Sequence, residues 1–307
     1  MTPTSGSSLV SPCTGVCRMD QDSGLCLGCA RTSEEIALWR DAPPAFRDAV
    51  WDALPARFAR LGITCTRLPW DADVIRAEVL KRLSAGDGTW VFGVSGAVAE
   101  VMLHPGARFV VTVHGDSVTA LTHGGGLRLL LGEDLRALSF ATPSVPADRA
   151  PLALVVLRER GRLPVASGLA DLGPDTAALD PASRSHRLFD LGLGRKEARF
   201  CVRCPPGDLS CLLTSLAGAD LATVLRVAGP RLVAESPARV VESALGRAEV
   251  TTPIPPPGGR SQVGPHTHLL PDVLASGRAT PPGIDIPRAY LPGALFHPAP
   301  SPHPDSA

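Results

Sequence analysis

Four cysteines crowd the start of this chain, Cys13, Cys17, Cys26 and Cys29, in the spacing C-x3-C-x8-C-x2-C. Thiolates this close in sequence can converge on one soft metal ion, and Gly15, Gly24 and Gly28 allow the tight turns that convergence needs. The spacing therefore predicts a metal-binding module. Two other readings compete: a redox dithiol, for which Cys26-x2-Cys29 has the spacing but not the βαβ context, and unrelated buried thiols. No histidine precedes His104, so the site is expected to be all-sulfur. Four thiolates leave no open coordination position, which favours a structural or electron-transfer role over Lewis-acid catalysis. Zinc and an iron–sulfur cluster both accept four thiolates, so sequence does not separate them.

Around the cysteines, Thr32 followed by Glu35 is a capping-box signature that starts a short helix carrying Ile36 and Trp39. Pro43-Pro44 suit the first turn of a second helix, along which Phe46, Val50, Leu54 and Phe58 recur every four residues. That stripe leaves Arg47, Asp48 and Arg57 turned outward. Pro55 is expected to kink or split the helix and Gly62 to end it. A segment of this size with so few large apolar groups gains stability from a metal staple.

The residues from Ser11-Pro12 through Cys13, Cys17, Arg18, Asp20, Gly24, Cys26, Gly28 and Cys29 to Arg31, Thr32, Glu35, Ile36 and Trp39 resemble a known family. It is the YdhL-like family of short cysteine-rich bacterial proteins, domain of unknown function 1289, described as predicted iron–sulfur proteins. The resemblance covers residues 10–62, about a fifth of the chain. It implies that Cys13, Cys17, Cys26 and Cys29 are the metal ligands, and it carries no established activity.

The rest of the 307 residues reads as an α+β domain, 71–250, followed by a proline-rich arm, 251–307. From Asp71, Ile75, Val79 and Leu83 mark an amphipathic helix ending at Gly86. Short β-branched segments then follow between 89 and 157, separated by turns such as Gly115-Asp116, and predict an antiparallel meander. Ala198–Arg203 adds a strand. Helices are expected at 208–218 and at 236–246, the latter with a Ser-Pro start and a closing Gly246. The arm holds 14 of the 31 prolines yet keeps Leu269, Leu270, Ile284, Ile286, Leu291 and Phe296, so it is expected to pack on the domain with only its last residues loose.

Within that arm His266 and His268 form an H-x-H pair, which in extended backbone sends both imidazoles to one side. They are a second candidate metal or catalytic pair; the plainer alternative is that they anchor the arm by hydrogen bonding. Cys201 and Cys204, three apart on a strand, point to opposite faces and converge poorly. Gly93–Gly96 lacks the spacing of a nucleophile elbow, and Gly124–Gly126 precedes a strand rather than a phosphate-binding helix. The arginines between 158 and 199 are interleaved with acids and read as a mixed solvated face.

Lys+Arg and Asp+Glu balance at 30 each, which supplies no electrostatic case for nucleic acid or an anionic membrane. The polar first residues lack a secretory pattern and no apolar run reaches membrane-spanning length, so a cytoplasmic location is expected. Three roles follow: metal binding with the cysteine module as a structural or redox accessory, an enzyme with a pocket near His266 and His268, or a partner-docking module anchored by exposed Trp39 or Trp51.

Overall fold

A computed structural model describes residues 10–103, 109–142, 145, 148–256, 259 and 264–299. His104 and the last residues of the arm lie outside the described residues.

The N-terminal segment folds as read from its caps. Thr32 and Glu35 close a reciprocal capping box at the start of α1, Ser33–Leu38. Helix α2, Pro44–Leu61, has proline in its first turn and ends on Gly62 in the left-handed conformation. Pro55 does not split it. Ala30, Trp39, Val50 and Leu54 form a small core of their own beneath these helices. One outward expectation fails here. Arg47 turns inward and is buried, donating from Nε to the Trp39 carbonyl and from Nη2 to the Arg40 carbonyl, carbonyls that the end of α1 leaves unpaired. Arg57 clasps Glu35 with both guanidinium arms. Trp39 is buried with the Arg31 guanidinium over its ring, and Trp51 spends its indole N–H on the Val10 carbonyl. Trp39 is thus not the exposed anchor expected, while Trp51 is half-buried.

After β1, Cys65–Arg67, helix α3, Ala72–Ala85, runs from its Asp71 cap to Gly86. Two antiparallel sheets follow. One uses β1, β2 (Gly88–Val94), β3 (Ala97–Leu103), β7 (Arg136–Phe140), β8 (Leu152–Leu157), β14 (His266–Leu269) and β15 (Tyr290–His297), in the order β1-β7-β8-β15-β2-β3-β14. The other uses β4 (Val110–His114), β5 (Ser117–Thr122), β6 (Gly125–Leu130), β9 (Ala170–Pro174), β10 (Arg187–Asp190), β11 (Ala198–Cys204), β12 (Ala238–Ser243) and β13 (Gly246–Val250), in the order β4-β5-β6-β13-β12-β11-β10-β9. The fold class is α+β, and the expected single meander is divided between two sheets packed face to face. Trp90, Phe92 and Val94 alternate inward from β2 to meet Leu127, Leu129, Phe200, Val241 and Ala248 from the second sheet. Helix α3 adds Ile75, Val79 and Leu83 to this core; α4, Asp208–Ser215, and α5, Leu221–Glu235, add Leu209, Leu213, Val224, Ala228 and Leu232.

The proline-rich arm is not an external strap. Its β15 lies between β8 and β2, buried on both faces, and β14 extends the same sheet along β3. The helix expected at 236–246 is instead the β12–β13 hairpin. Ser236 closes the preceding α5 rather than opening a new helix. Gly246 adopts φ +150° where a side chain would strike the Arg128 carbonyl of β6, so its role is close strand approach rather than helix termination. Among the described residues, no helix is long and apolar enough to cross a membrane.

Candidate metal sites

The four cysteines sit on two loops held together by backbone. Asp20 and Leu25, Cys26 and Arg31, and Leu27 and Arg18 are joined by main-chain hydrogen bonds of 2.7–2.8 Å, which fold the Cys26–Cys29 turn back onto the Arg18 strand. Thr14 Oγ1 donates to the Gly28 carbonyl at 3.0 Å and carries the Cys13 loop alongside. Both loops aim amides at sulfur: Gly15 N–H at Cys13 Sγ, 3.3 Å, and Gly28 N–H at Cys26 Sγ, 3.4 Å. Arg31 Nε lies 3.5 Å from Cys29 Sγ, while its Nη1 is buried without a partner among the described residues.

These donors set the thiol acidities. Burial pushes Cys26 up, but the amides of Gly28 and Cys29, the Cys29 thiol and the Arg18 amide outweigh it, so its pKa falls below the ordinary 9.0. The neighbouring Cys13 raises Cys17, and burial raises Cys29 against the pull of Arg31. Cys26 and Cys29 are buried, Cys13 half-buried and Cys17 exposed. The module rests on the first sheet: Tyr290 Oη donates to the Cys13 carbonyl at 3.4 Å, and Gly15 abuts Ala289.

The second candidate pair stands on β14. His266 pairs across the ladder with Glu100 of β3, and His268 with Val98. Alternation puts both imidazoles and the carboxylate on one face. His266 Nε2 is 2.9 Å and His268 Nε2 3.7 Å from the same oxygen, Glu100 Oε2. The two rings meet edge to face, with centroids 4.8 Å apart. Among the described residues, it is Glu100, His266 and His268, and not the cysteines, that bring three ligand atoms within 4.8 Å of one another. The hydrogen bond from His266 holds Glu100 below its ordinary value, and Glu100 in turn raises His266.

Against known families, a model described as a family of unknown function (DUF6925) matches residues 75–306, about three quarters of the chain. The chain belongs to the DUF6925 family. A second model, described as a protein of unknown function (DUF1289), matches residues 11–58 and so contains all four clustered cysteines. No curated protein and no solved structure matches the chain.

Within the DUF6925 region, Glu100 escaped sequence reading because it lies far from His266 along the chain. The usable signal was its polarity in an otherwise apolar run, A-V-A-E-V-M-L. Cys201 and Cys204 face opposite sides of β11: Cys204 enters the inter-sheet core, and Cys201 packs with Leu188 and Val240 on the outer face. Burial pushes Cys204 up to about 12, and Cys201 also rises. They are ordinary core thiols. Four arginines of the 158–199 stretch engage acids, Arg158 with Glu197, Arg160 with Asp134, Arg187 with Asp171 and Arg199 with Glu242, while Arg184 and Arg195 donate to backbone carbonyls.

The outer face of the second sheet holds a buried charge cluster that sequence did not foreshadow. Asp175 receives both guanidinium arms of Arg247, at 2.9 and 2.7 Å, and one of Arg203, at 3.0 Å. Glu249 takes a second bond from Arg203 at 2.6 Å and one from the Leu179 amide at 2.9 Å. The cluster ties the 175–186 loop to β11 and β13. Its acids and bases neutralise one another and all but Arg247 Nε, which meets Glu249 Oε1 at 3.0 Å as an ion pair only, find hydrogen-bond partners, which marks it as structural.

Proposed function

We propose that the DUF1289 segment is a four-thiolate metal module, with Cys13, Cys17, Cys26 and Cys29 as ligands, that serves the DUF6925 domain as a structural or redox accessory. The observation carrying this reading is the set of donors aimed at sulfur: two backbone amides and a buried Arg31 with an unpaired arm. Amide and guanidinium hydrogen bonds to sulfur stabilise thiolates, and a four-thiolate centre around a divalent metal or a doubly charged cluster bears net negative charge that a buried cation offsets. The donor set suits zinc or an iron–sulfur cluster, the second being what the sequence resemblance favours. When bound, the metal supplies a cross-link between the two loops or, as a cluster, an electron-transfer centre. The chain's own part is to orient the sulfurs, neutralise their charge and seat the module on β15 through Tyr290 and Ala289.

The test is anaerobic purification of the intact chain with an absorption spectrum and elemental analysis. Iron with inorganic sulfide makes the module a cluster carrier; one tightly held zinc makes it a structural staple. Cys26→Ser and Cys29→Ser should lose metal and local folding together. A wild-type chain with neither metal and free thiols throughout would overturn the reading.

A further inference from the structure

The His266–Glu100 contact presents a proton-counting problem. His266 Nδ1 lies 3.0 Å from the Gly264 carbonyl, which can only accept a hydrogen bond. Nδ1 therefore carries a proton, and a neutral His266 turns its unprotonated Nε2 toward Glu100 Oε2 at 2.9 Å. Two lone pairs cannot face each other at that distance without a cation between or beside them. The cation is either a second proton, on the ring or on the carboxyl, or a metal ion. His268 bears on the choice, because its Nε2 approaches the same carboxylate oxygen. An ion pair needs one imidazole. A metal uses both, and fixing a ligating imidazole by a bond from its other nitrogen to a backbone carbonyl is the usual supporting arrangement around a metal.

We propose that Glu100, His266 and His268 form a metal site separate from the cysteine module, taking one divalent cation of zinc type through two imidazole nitrogens and one carboxylate oxygen. Strand pairing pre-sets the geometry: two ligands are i and i+2 on β14, and the third is directly opposite on β3. Little chain entropy is left to lose when the ion binds. Two nitrogens and one oxygen are a borderline donor set, unlike the all-sulfur N-terminal site. Three protein ligands leave a coordination position for water or a substrate oxygen. The site can also be reached, since β14 is the edge strand of its sheet and the His268 side chain keeps 39% of its surface open. This composition is that of a centre that binds and polarises a ligand, so chemistry in the DUF6925 domain is assigned to this sheet edge.

The test uses the full, tag-free chain with its cysteine module as purified. Zn2+ is titrated by calorimetry and bound metal is counted. The wild type should take one equivalent beyond any metal already present, and Cys26→Ser should leave that equivalent in place. His268→Gln, at the most exposed ligand, should weaken it by at least roughly tenfold, and Glu100→Gln should abolish it. Should Glu100→Gln misfold, proton NMR of the wild type decides: the His266 and His268 ring resonances must shift on Zn2+ addition. No extra equivalent, an affinity unchanged in His268→Gln, or unmoved ring resonances would each overturn the proposal.

Discussion

Replacing Asp175 by Asn keeps the side-chain shape and removes one buried negative charge. Asp175, Arg203 and Arg247 have side chains only 2–3% exposed, so water cannot compensate the loss. Three charge-assisted hydrogen bonds end on this carboxylate. An amide oxygen placed at the Oδ2 position can retain two of them, from Arg203 and Arg247, but the NH2 group replacing Oδ1 must then point at Arg247 Nη1. Glu249 still serves both arginines, and Glu242, which it shares with Arg199, still reaches Arg247 at 3.3 Å, yet the two buried guanidinium groups then have one fully buried carboxylate between them. Breaking a buried pair in this way costs about 3–5 kcal/mol, a large part of the 5–15 kcal/mol that holds an ordinary domain. In urea, with a slope near 3 kcal/mol/M for a unit of this size, the midpoint should fall by about 1–2 M at constant slope, followed by tryptophan fluorescence. Trp90, fully buried between the sheets, reports the sheet domain. The gap should narrow in acid. Burial raises the Asp175 pKa but the arginines outweigh it, so the folded value lies below the ordinary 3.8. Its contribution is full above 3.8 and disappears as pH falls through the folded value. A loss under about 1 kcal/mol at neutral pH would refute the claim that this cluster fastens the 175–186 loop.

Leu54→Ala, at a fully buried position in the small N-terminal core, should cost about 2–5 kcal/mol and release the module's metal at lower temperature, measured by thermal unfolding with a metal-sensitive dye. Gly15→Ala places a methyl group 2.7 Å from Ala289 Cβ at a backbone φ of +79°, and should loosen the module from β15, seen as faster proteolysis between residues 62 and 71. In the metal-free protein, hydrogen exchange should show β14 best protected between about pH 4.5 and 6.5. Glu100, lowered from 4.5, contributes above that value, and His266, raised from 6.5, contributes until pH rises through its folded pKa. If protection instead rises steadily toward pH 9, the ion pair is not what holds that strand.

Local signals were legible where the chemistry was local. The Thr32–Glu35 box, the Asp71 cap, and Gly62 and Gly86 in left-handed conformation stand where the sequence placed them, because each satisfies backbone groups a few residues away. Misreadings arose where two local codes overlapped. At 236–246 the Ser-Pro start and closing glycine imitate helix boundaries, while Val240-Val241 already favours a strand. Helix α5 was missed because Gly229-Pro230 interrupt an otherwise clear Val224, Ala228, Leu232 stripe. Arg47 reads as a surface residue on a helical wheel, yet the open carbonyls after α1 draw it inward.

By itself the sequence determined the existence of a cysteine cluster, the caps of three helices, an α+β composition and the shared side of His266 and His268. Each depends on spacings of a few residues, over which backbone geometry is nearly rigid. Tertiary structure alone decided that β15 enters the middle of a sheet, that Glu100 stands opposite His266, and that Asp175 is enclosed by arginines more than twenty-five residues away. Those pairings are chosen by which apolar faces can be buried together, a global competition that no window of neighbouring residues contains.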